Sequence, residues 1–175
     1  PSGRLSVTFP KSIKQLMEWD VSALDVKHDL YHGYRYLDRN QDTAQYPFGY
    51  GLSYSKFSFD SLQTRREGEG FLLTVTVTND GQRAGATVPQ IYVSQRDSQI
   101  ERVVKELKGF GRVELEPGQS ADLEIEIVDQ DLCYYDPESG WTLEACGYIF
   151  WLADSAEDLQ QRSVWRFDGD HWKPE

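Results

Sequence analysis

The sequence lacks the long apolar runs of a membrane protein and the clustered ligands of a metalloprotein. No apolar run approaches the roughly 18 residues that indicate a transmembrane helix. With 2 cysteines and 3 histidines in 175 residues, the chain offers few thiolate and imidazole ligands for a metal site. We therefore expect a soluble protein with no metal and no other cofactor.

Positive charge is also scarce, with 18 Lys and Arg against 29 Asp and Glu and a formal net charge of −11. Residues 1–53 hold six charges of each sign, so the excess falls entirely on residues 54–175, with twelve basic and twenty-three acidic side chains. Such a surface repels phosphate backbones. The charge distribution therefore argues against nucleic-acid binding.

The two cysteines, Cys133 and Cys146, lie thirteen residues apart. Two interpretations stay open. They pair as a disulfide across neighbouring strands, or they remain ordinary buried thiols, because free cysteine packs as a small apolar residue. We favour the second.

After residue 54 the chain shows the period-two alternation that is typical of half-buried strands. Residues 73–78 alternate Leu or Val with Thr and stop at Asn79-Asp80-Gly81, a strong turn signal. Residues 121–127 alternate apolar with acidic side chains, and residues 148–152 are apolar on both faces, as in a central strand. Six or seven such strands over about 115 residues predict an antiparallel β-sandwich of immunoglobulin or fibronectin type.

The first 53 residues are less regular. Residues 5–9 predict a short strand closed by Pro10, and residues 11–19 predict one helical turn or a loop. Residues 20–45 are polar and aromatic without a period, which indicates a functional loop or a segment that packs on something else. The aromatic and glycine-rich string at residues 46–54 is predicted to form a stiff junction, with Gly49 and Gly51 permitting tight or left-handed backbone.

Several blocks, in the right order, resemble the C-terminal portion of glycoside hydrolase family 3 enzymes. The first is Pro-Ser-Gly-Arg-Leu-Ser-Val-Thr-Phe-Pro at residues 1–10, similar to a segment near the end of that family's α/β-sandwich domain. Residues 30–38 and 46–54 are similar to its exit into the C-terminal module. The blocks that resemble its fibronectin type III-like domain are residues 77–81, 90–94, 104–110, 115–118 and 135–141.

The resemblance implies a mainly β fold: a fibronectin type III or immunoglobulin-like antiparallel β-sandwich preceded by an incomplete α/β segment. It divides the chain into residues 1–53 (the tail of the α/β-sandwich domain and a linker), residues 54–170 (the fibronectin type III-like sandwich) and residues 171–175 (a terminal tail). The implied function is that of a C-terminal structural module of a retaining glycoside hydrolase of β-glucosidase or β-xylosidase type.

The same resemblance places the catalytic pair outside this chain. Retaining hydrolysis uses two carboxylates about 5 Å apart, and the family carries its nucleophilic Asp in an N-terminal barrel and its acid/base Glu further upstream in the sandwich domain. We therefore expect the chain alone to be inactive. Its partners would be those missing barrel and sandwich domains, and the parent would act on an oligosaccharide or aryl glycoside.

Two other hypotheses stay open. The chain is a non-catalytic module that binds carbohydrate or protein, or it is a spacer that contributes only stability and solubility. The first of these would depend on exposed aromatic side chains, because aromatic faces complement the apolar faces of pyranose rings.

The candidate site residues fall in two places. His28, Asp29 and His32 lie in the irregular segment, where the resemblance suggests that they line outer sugar subsites; surface or packing roles are the competing interpretation. Trp141 follows a Ser-Gly turn, so we expect it to be exposed and predict it as a sugar platform.

Other prominent side chains are predicted to be structural. Trp151 and Trp165 lie in strand patterns and are expected in the core, whereas Trp172 is expected in a mobile terminus. Arg35 and Asp38 are expected to form an ion pair that fixes the exit from the first segment.

Overall fold

The computed structural model describes residues 1–17, 22, 24, 25 and 29–175. In these ranges no helix is long and apolar enough to cross a membrane. The helical elements are a 3-10 turn (Ile13–Gln15), α1 (Tyr34–Asn40) and α2 (Asp129–Leu132). The strands are β1 (Phe9–Pro10), β2 (Ala44–Tyr46), β3 (Phe57–Glu67), β4 (Gly70–Asn79), β5 (Gly85–Thr87), β6 (Gln90–Arg96), β7 (Glu106–Phe110), β8 (Val113–Leu115), β9 (Ser120–Val128), β10 (Tyr134–Asp136), β11 (Gly140–Thr142), β12 (Gly147–Ser155), β13 (Asp158–Phe167) and β14 (Trp172–Pro174).

Two antiparallel sheets face each other across one core. One has the order β3-β4-β9 and the other the order β14-β13-β12-β6-β7. The inward side chains of residues 71–77 pack against those of residues 91–93 and 148–152, and Leu73, Val75 and Val77 are fully buried. The predicted mainly β, antiparallel sandwich is confirmed, and the alternation in the sequence corresponds to its inner and outer faces.

The N-terminal segment differs from the prediction. Residues 5–9 are not a continuous strand, since only Phe9–Pro10 pairs, and its partner is Ala44–Tyr46 within the same chain. Leu5 instead exchanges backbone hydrogen bonds with the junction: its N–H donates to Tyr50 O (2.8 Å) and its carbonyl accepts from Gly49 N–H (2.8 Å). Pro10 lacks an N–H, which stops further pairing. The short 3-10 turn agrees with the helical turn expected within residues 11–19.

Helix α1 lies in the stretch that showed no period, and it corrects the predicted Arg35–Asp38 pair. Arg35 binds Glu106 instead, with Nη2 2.6 Å from Oε1, and Asp38 accepts both of its contacts from Lys105 Nζ at 2.6 Å. Lys105 is only 5% exposed. The partners of Arg35 and Asp38 are thus Glu106, the first residue of β7, and Lys105, which precedes it. A buried charge is costly without a partner of opposite sign, and here the partners come from β7 and the residue before it and not from within the helix.

The C-terminal residues form a strand, so the expectation of a mobile Trp172 is wrong. β14 pairs with β13, and the Trp172 ring packs 4.8 Å from Phe71, 4.9 Å from Tyr148 and 5.1 Å from Phe167 (ring centroids). Asp168 holds the preceding turn: hydrogen bonds from His171 N–H, Lys173 and Asp170 N–H keep its pKa far below the usual range. The indole therefore closes one end of the sandwich.

Of the remaining structural expectations, the one for Trp151 is wrong. Cys133 and Cys146 are both free thiols in the described structure, and burial raises the pKa of each. Trp165 packs on the core beside Phe71 as expected, whereas Trp151 is half-buried on the outer face of the larger sheet, beside Tyr92, because the strand alternation points it away from the core. The division of the chain at residue 53 stays a prediction.

Trp172→Ala is expected to lower the free energy of unfolding by about 3 kcal/mol, because it removes an aromatic ring from four packed contacts. Urea titration followed by circular dichroism measures this. Trp141→Ala is the matched control, since Trp141 is 63% exposed and its loss should cost less than about 0.5 kcal/mol. Equal midpoints for the two variants would contradict the packing role.

Candidate functional site

An arginine near the N-terminus joins the first segment to the sandwich. Arg4 Nη1 donates to the Asp154 carbonyl (2.9 Å), and Nη2 donates to Asp154 Oδ1 (2.6 Å) and Thr87 Oγ1 (3.0 Å). Its side chain is 16% exposed and that of Asp154 is 36% exposed. Because guanidinium presents several donors in one plane, it binds two strands and one carboxylate together.

Gln90 completes this contact from the side of the junction. Its Nε2 donates to the carbonyls of Gly49 (3.0 Å) and Asp154 (2.8 Å), and its Oε1 accepts from Tyr92 OH (2.8 Å). Gly49 has φ +80°, and a Cβ there would lie 2.0 Å from Gln90 Oε1. We call Arg4, Gly49, Gln90 and Asp154 the clamp. The glycine string in the sequence indicates a tight junction at Gly49. No local sequence pattern identifies Arg4 or Gln90 as its contacts, because both are more than forty residues away.

Beside the clamp lies a cavity of about 210 Å³ lined by Arg4, Asp154, Asp158 and serines of the junction. It brings two carboxyl groups to one place, as glycoside hydrolysis requires. Asp154 is held by Arg4, however, and the cavity is smaller than the 300–1,000 Å³ usual for ligand sites. The ion pair between Arg4 and Asp154 is suited to holding strands together.

The predicted sugar-lining residues are only partly brought together. Asp29 Oδ1 accepts from Tyr31 N–H (2.7 Å), and His32 Nδ1 lies 3.3 Å from the Asp29 carbonyl, so both belong to one exposed turn. His28 lies outside the described residues. His32 also lines an open groove of about 470 Å³ between the first segment and β7.

That groove has polar and apolar sides. His32 and Arg35 line it together with Val7, Phe48 and Leu107. The groove wall also includes Thr8, whose hydroxyl is buried and has no hydrogen-bond partner among the described residues. An unpaired buried hydroxyl in a wall favours contact with a further polar group.

Trp141 lies in a small hairpin, opposite Tyr135. Both rings are 63% exposed, and they meet edge to face with centroids 5.6 Å apart. Asp136 fixes the turn by accepting from Ser139 N–H (2.9 Å) and Glu138 N–H (2.8 Å), and these bonds lower the pKa of its carboxyl. The hairpin therefore holds an aromatic pair out to solvent; its binding of sugar stays a prediction.

The part of the chain that the structure describes holds no group of three or more His, Cys, Asp or Glu placed to bind a metal ion. The Nδ1 atom of His32 contacts a backbone carbonyl, that of Asp29.

Comparison with known proteins supplies the family. The fibronectin type III-like domain family matches residues 87–156. A β-glucosidase of Kluyveromyces marxianus is 33% identical over 99% of this chain and 22% of its own length, and one of Rhizobium radiobacter is 34% identical over 91% and 21%. β-Glucosidase 3B of Thermotoga neapolitana, solved with α-D-glucose, superposes with a TM-score of 0.87 at 29% identity over 100% of this chain and 25% of that one.

The chain carries a fibronectin type III-like domain. It corresponds to a C-terminal portion of family 3 glycoside hydrolases, so the resemblance in the sequence is confirmed. It spans about a fifth to a quarter of the relatives' length. The clamp joins Arg4 and Gly49, which precede the sandwich, to Gln90 and Asp154 within it.

Arg4→Met is expected to speed chymotryptic cleavage after Tyr46 or Tyr50 roughly tenfold, because losing charge-assisted hydrogen bonds costs about 1.5–3 kcal/mol and lets the junction open. Peptide mass analysis over time measures it. Arg112→Met is the control, as the ion pair of Arg112 is with Glu114 and both side chains are exposed. Equal cleavage rates for the native chain and Arg4→Met would refute the clamp.

Proposed function

We propose that these 175 residues serve as the C-terminal structural segment of a retaining glycoside hydrolase of β-glucosidase type, with β-xylosidase the alternative specificity. One observation carries the proposal: nearly the whole chain aligns with only about a fifth of the β-glucosidases it resembles. The remaining four fifths have to supply the carboxylate pair. The segment alone is then inactive.

The exposed apolar side chains favour a contact between the first segment and another part of the parent protein. Of the sixteen large apolar residues exposed in the described part of the chain, nine lie within residues 1–54. Ile13 is 81% exposed and Leu16 is 52% exposed, on and beside the 3-10 turn. Exposed apolar side chains are a feature of surfaces that contact another protein, and Ile13 and Leu16 lie only three residues apart. We infer that this surface packs on the upstream domains of the same enzyme.

The division of labour follows from the chemistry. A retaining enzyme holds a nucleophile and an acid/base carboxyl about 5 Å apart across the scissile bond, on elements that must not move relative to each other. Residues 1–53 would complete the upstream sandwich domain, and the clamp would transmit the rigidity of the fibronectin type III-like domain to it. The substrate of the assembled enzyme would be an oligosaccharide or an aryl β-glycoside.

The test is reconstitution with the upstream domains of the parent enzyme, expressed as a separate chain. We expect binding, together with hydrolysis of p-nitrophenyl β-glucoside that neither piece performs alone. Ile13→Asp with Leu16→Asp should weaken binding at least about tenfold, because two charges enter an apolar contact.

Phe110→Asp is the matched control, since Phe110 is 66% exposed but lies on β7. It should bind as the native chain does. The proposal fails if the two pieces neither associate nor hydrolyse any aryl glycoside.

A second candidate, a carbohydrate-binding module, is favoured by the Tyr135–Trp141 pair alone. Trp141→Ala should then abolish retardation of the chain in gels that contain soluble glucan or xylan, because the ring face stacks on pyranose. Tyr54→Ala is the control, as Tyr54 is 79% exposed outside the hairpin. Absence of retardation of the native chain by any polymer would leave only the structural function.

A further inference from the structure

The loop between β6 and β7, residues 97–105, touches two parts of the molecule that are remote in sequence. We call it the brace loop. On one side it contacts the stretch 134–144, and on the other it contacts the turn 29–32. Val103 and Lys105 anchor its end, each 5% exposed. A nine-residue loop of this kind needs an internal support to hold one conformation.

Glu144 is that support. It is 9% exposed, and its carboxylate accepts from Ser98 Oγ (2.9 Å), Gln99 N–H (2.6 Å) and Arg102 Nη2 (3.0 Å). All of these donors belong to the brace loop. Burial alone would raise the pKa of Glu144, but the hydrogen bonds from Gln99, Ser98 and Arg102 outweigh it and lower that pKa. The ionised carboxylate is thus the form that the loop binds.

Arg102 connects Glu144 to Tyr31 of the first segment. Its guanidinium lies between Glu144 and the Tyr134 ring, 4.8 Å from the ring centroid, so the side chain has one available place. The buried neighbour Val103 and the contacts of the Arg102 side chain together hold this part of the loop backbone. The Arg102 backbone carbonyl accepts from Tyr31 OH at 3.3 Å.

Tyr31 is the receiving group. It is 7% exposed, and the Arg39 guanidinium covers its ring at 4.1 Å. Its backbone N–H donates to Asp29 Oδ1 (2.7 Å), and the Asp29 carbonyl lies 3.3 Å from His32 Nδ1. Tyr31 therefore connects the turn with Asp29 and His32 to the brace loop: its N–H binds Asp29, and its hydroxyl binds the Arg102 carbonyl.

We propose that Glu144 is a positioning residue, which sets the place of Asp29 and His32 through the brace loop and Tyr31. The inference rests on the proposed function for its catalytic consequence, because only an assembled enzyme has a substrate for that turn to meet. Glu144 itself touches none of the turn: it acts over a path of two hydrogen-bonded residues. Its loss should affect substrate binding more than chemistry.

The primary test uses the full chain and amide hydrogen exchange followed by mass spectrometry. Glu144→Gln should speed exchange roughly tenfold both in residues 97–104 and in residues 29–33, because a charge-assisted network loses its anion. Exchange in β4 and β12 should keep its native rate. Glu138→Gln is the control, with the same change in charge at an exposed position of the neighbouring β10–β11 hairpin.

A result confined to the brace loop, with residues 29–33 exchanging at the native rate, would overturn the proposal. Arg102→Lys is measured beside it, because lysine keeps the charge but not the planar contact with Glu144 and Tyr134. Amide exchange should again become faster in residues 97–104 and in residues 29–33. If Glu144→Gln does not fold, Arg102→Lys decides between the two outcomes.

The catalytic consequence is read in the reconstituted enzyme. Glu144→Gln should raise KM for an aryl glucoside severalfold while kcat stays within about twofold of native, a split that a general loss of folded protein would not produce. An unchanged KM would contradict the role. If the native pieces show no activity together, the proposed function fails, while the exchange experiment still decides whether Glu144 positions the turn.

Discussion

The hydrogen bonds of Arg4 make the first segment and the sandwich one body. One guanidinium reaches the Asp154 carbonyl, the Asp154 carboxylate and Thr87, which lie on or beside strands of the sandwich. The positive φ of Gly49 lets its carbonyl meet Gln90, and a side chain there would collide with that glutamine. This contact therefore fixes the residues around Arg4 and the junction at Gly49 against the sandwich.

A second line of contacts lies further along the larger sheet. The buried Lys105–Asp38 pair and the Arg35–Glu106 pair hold α1, and the brace loop holds Tyr31 beyond it. Buried ion pairs contribute modestly to stability but define geometry, since a charge that loses its partner is costly. The described parts of the first segment are thus attached to the sandwich in two places, at Arg4 and at α1. A structural segment of a hydrolase needs such attachment, because the catalytic carboxylates tolerate little displacement.

The sandwich could be predicted because its strands are half-buried, which gives the sequence an alternation with a period of two residues. The special backbone at Gly49 could be predicted because glycine is the residue that most readily adopts a positive φ. The rest could not. Helix α1 is stabilised by partners 67 and 71 residues away, which leave no local apolar pattern. The same distance explains why Arg35 and Asp38, neighbours in sequence, bind other residues. Trp172 follows a polar turn, so its burial depends on a core that only the fold assembles. Asp29 and His32 share one turn, while their role with substrate stays a prediction.

The decisive measurement is the intact mass of the polypeptide that carries these residues in its source cell, with p-nitrophenyl β-glucoside hydrolysis assayed in the same fraction. We expect the residues to belong to, or to copurify in fixed proportion with, a larger polypeptide that hydrolyses the glucoside. A free product of 20.2 kDa in an inactive fraction would contradict this expectation.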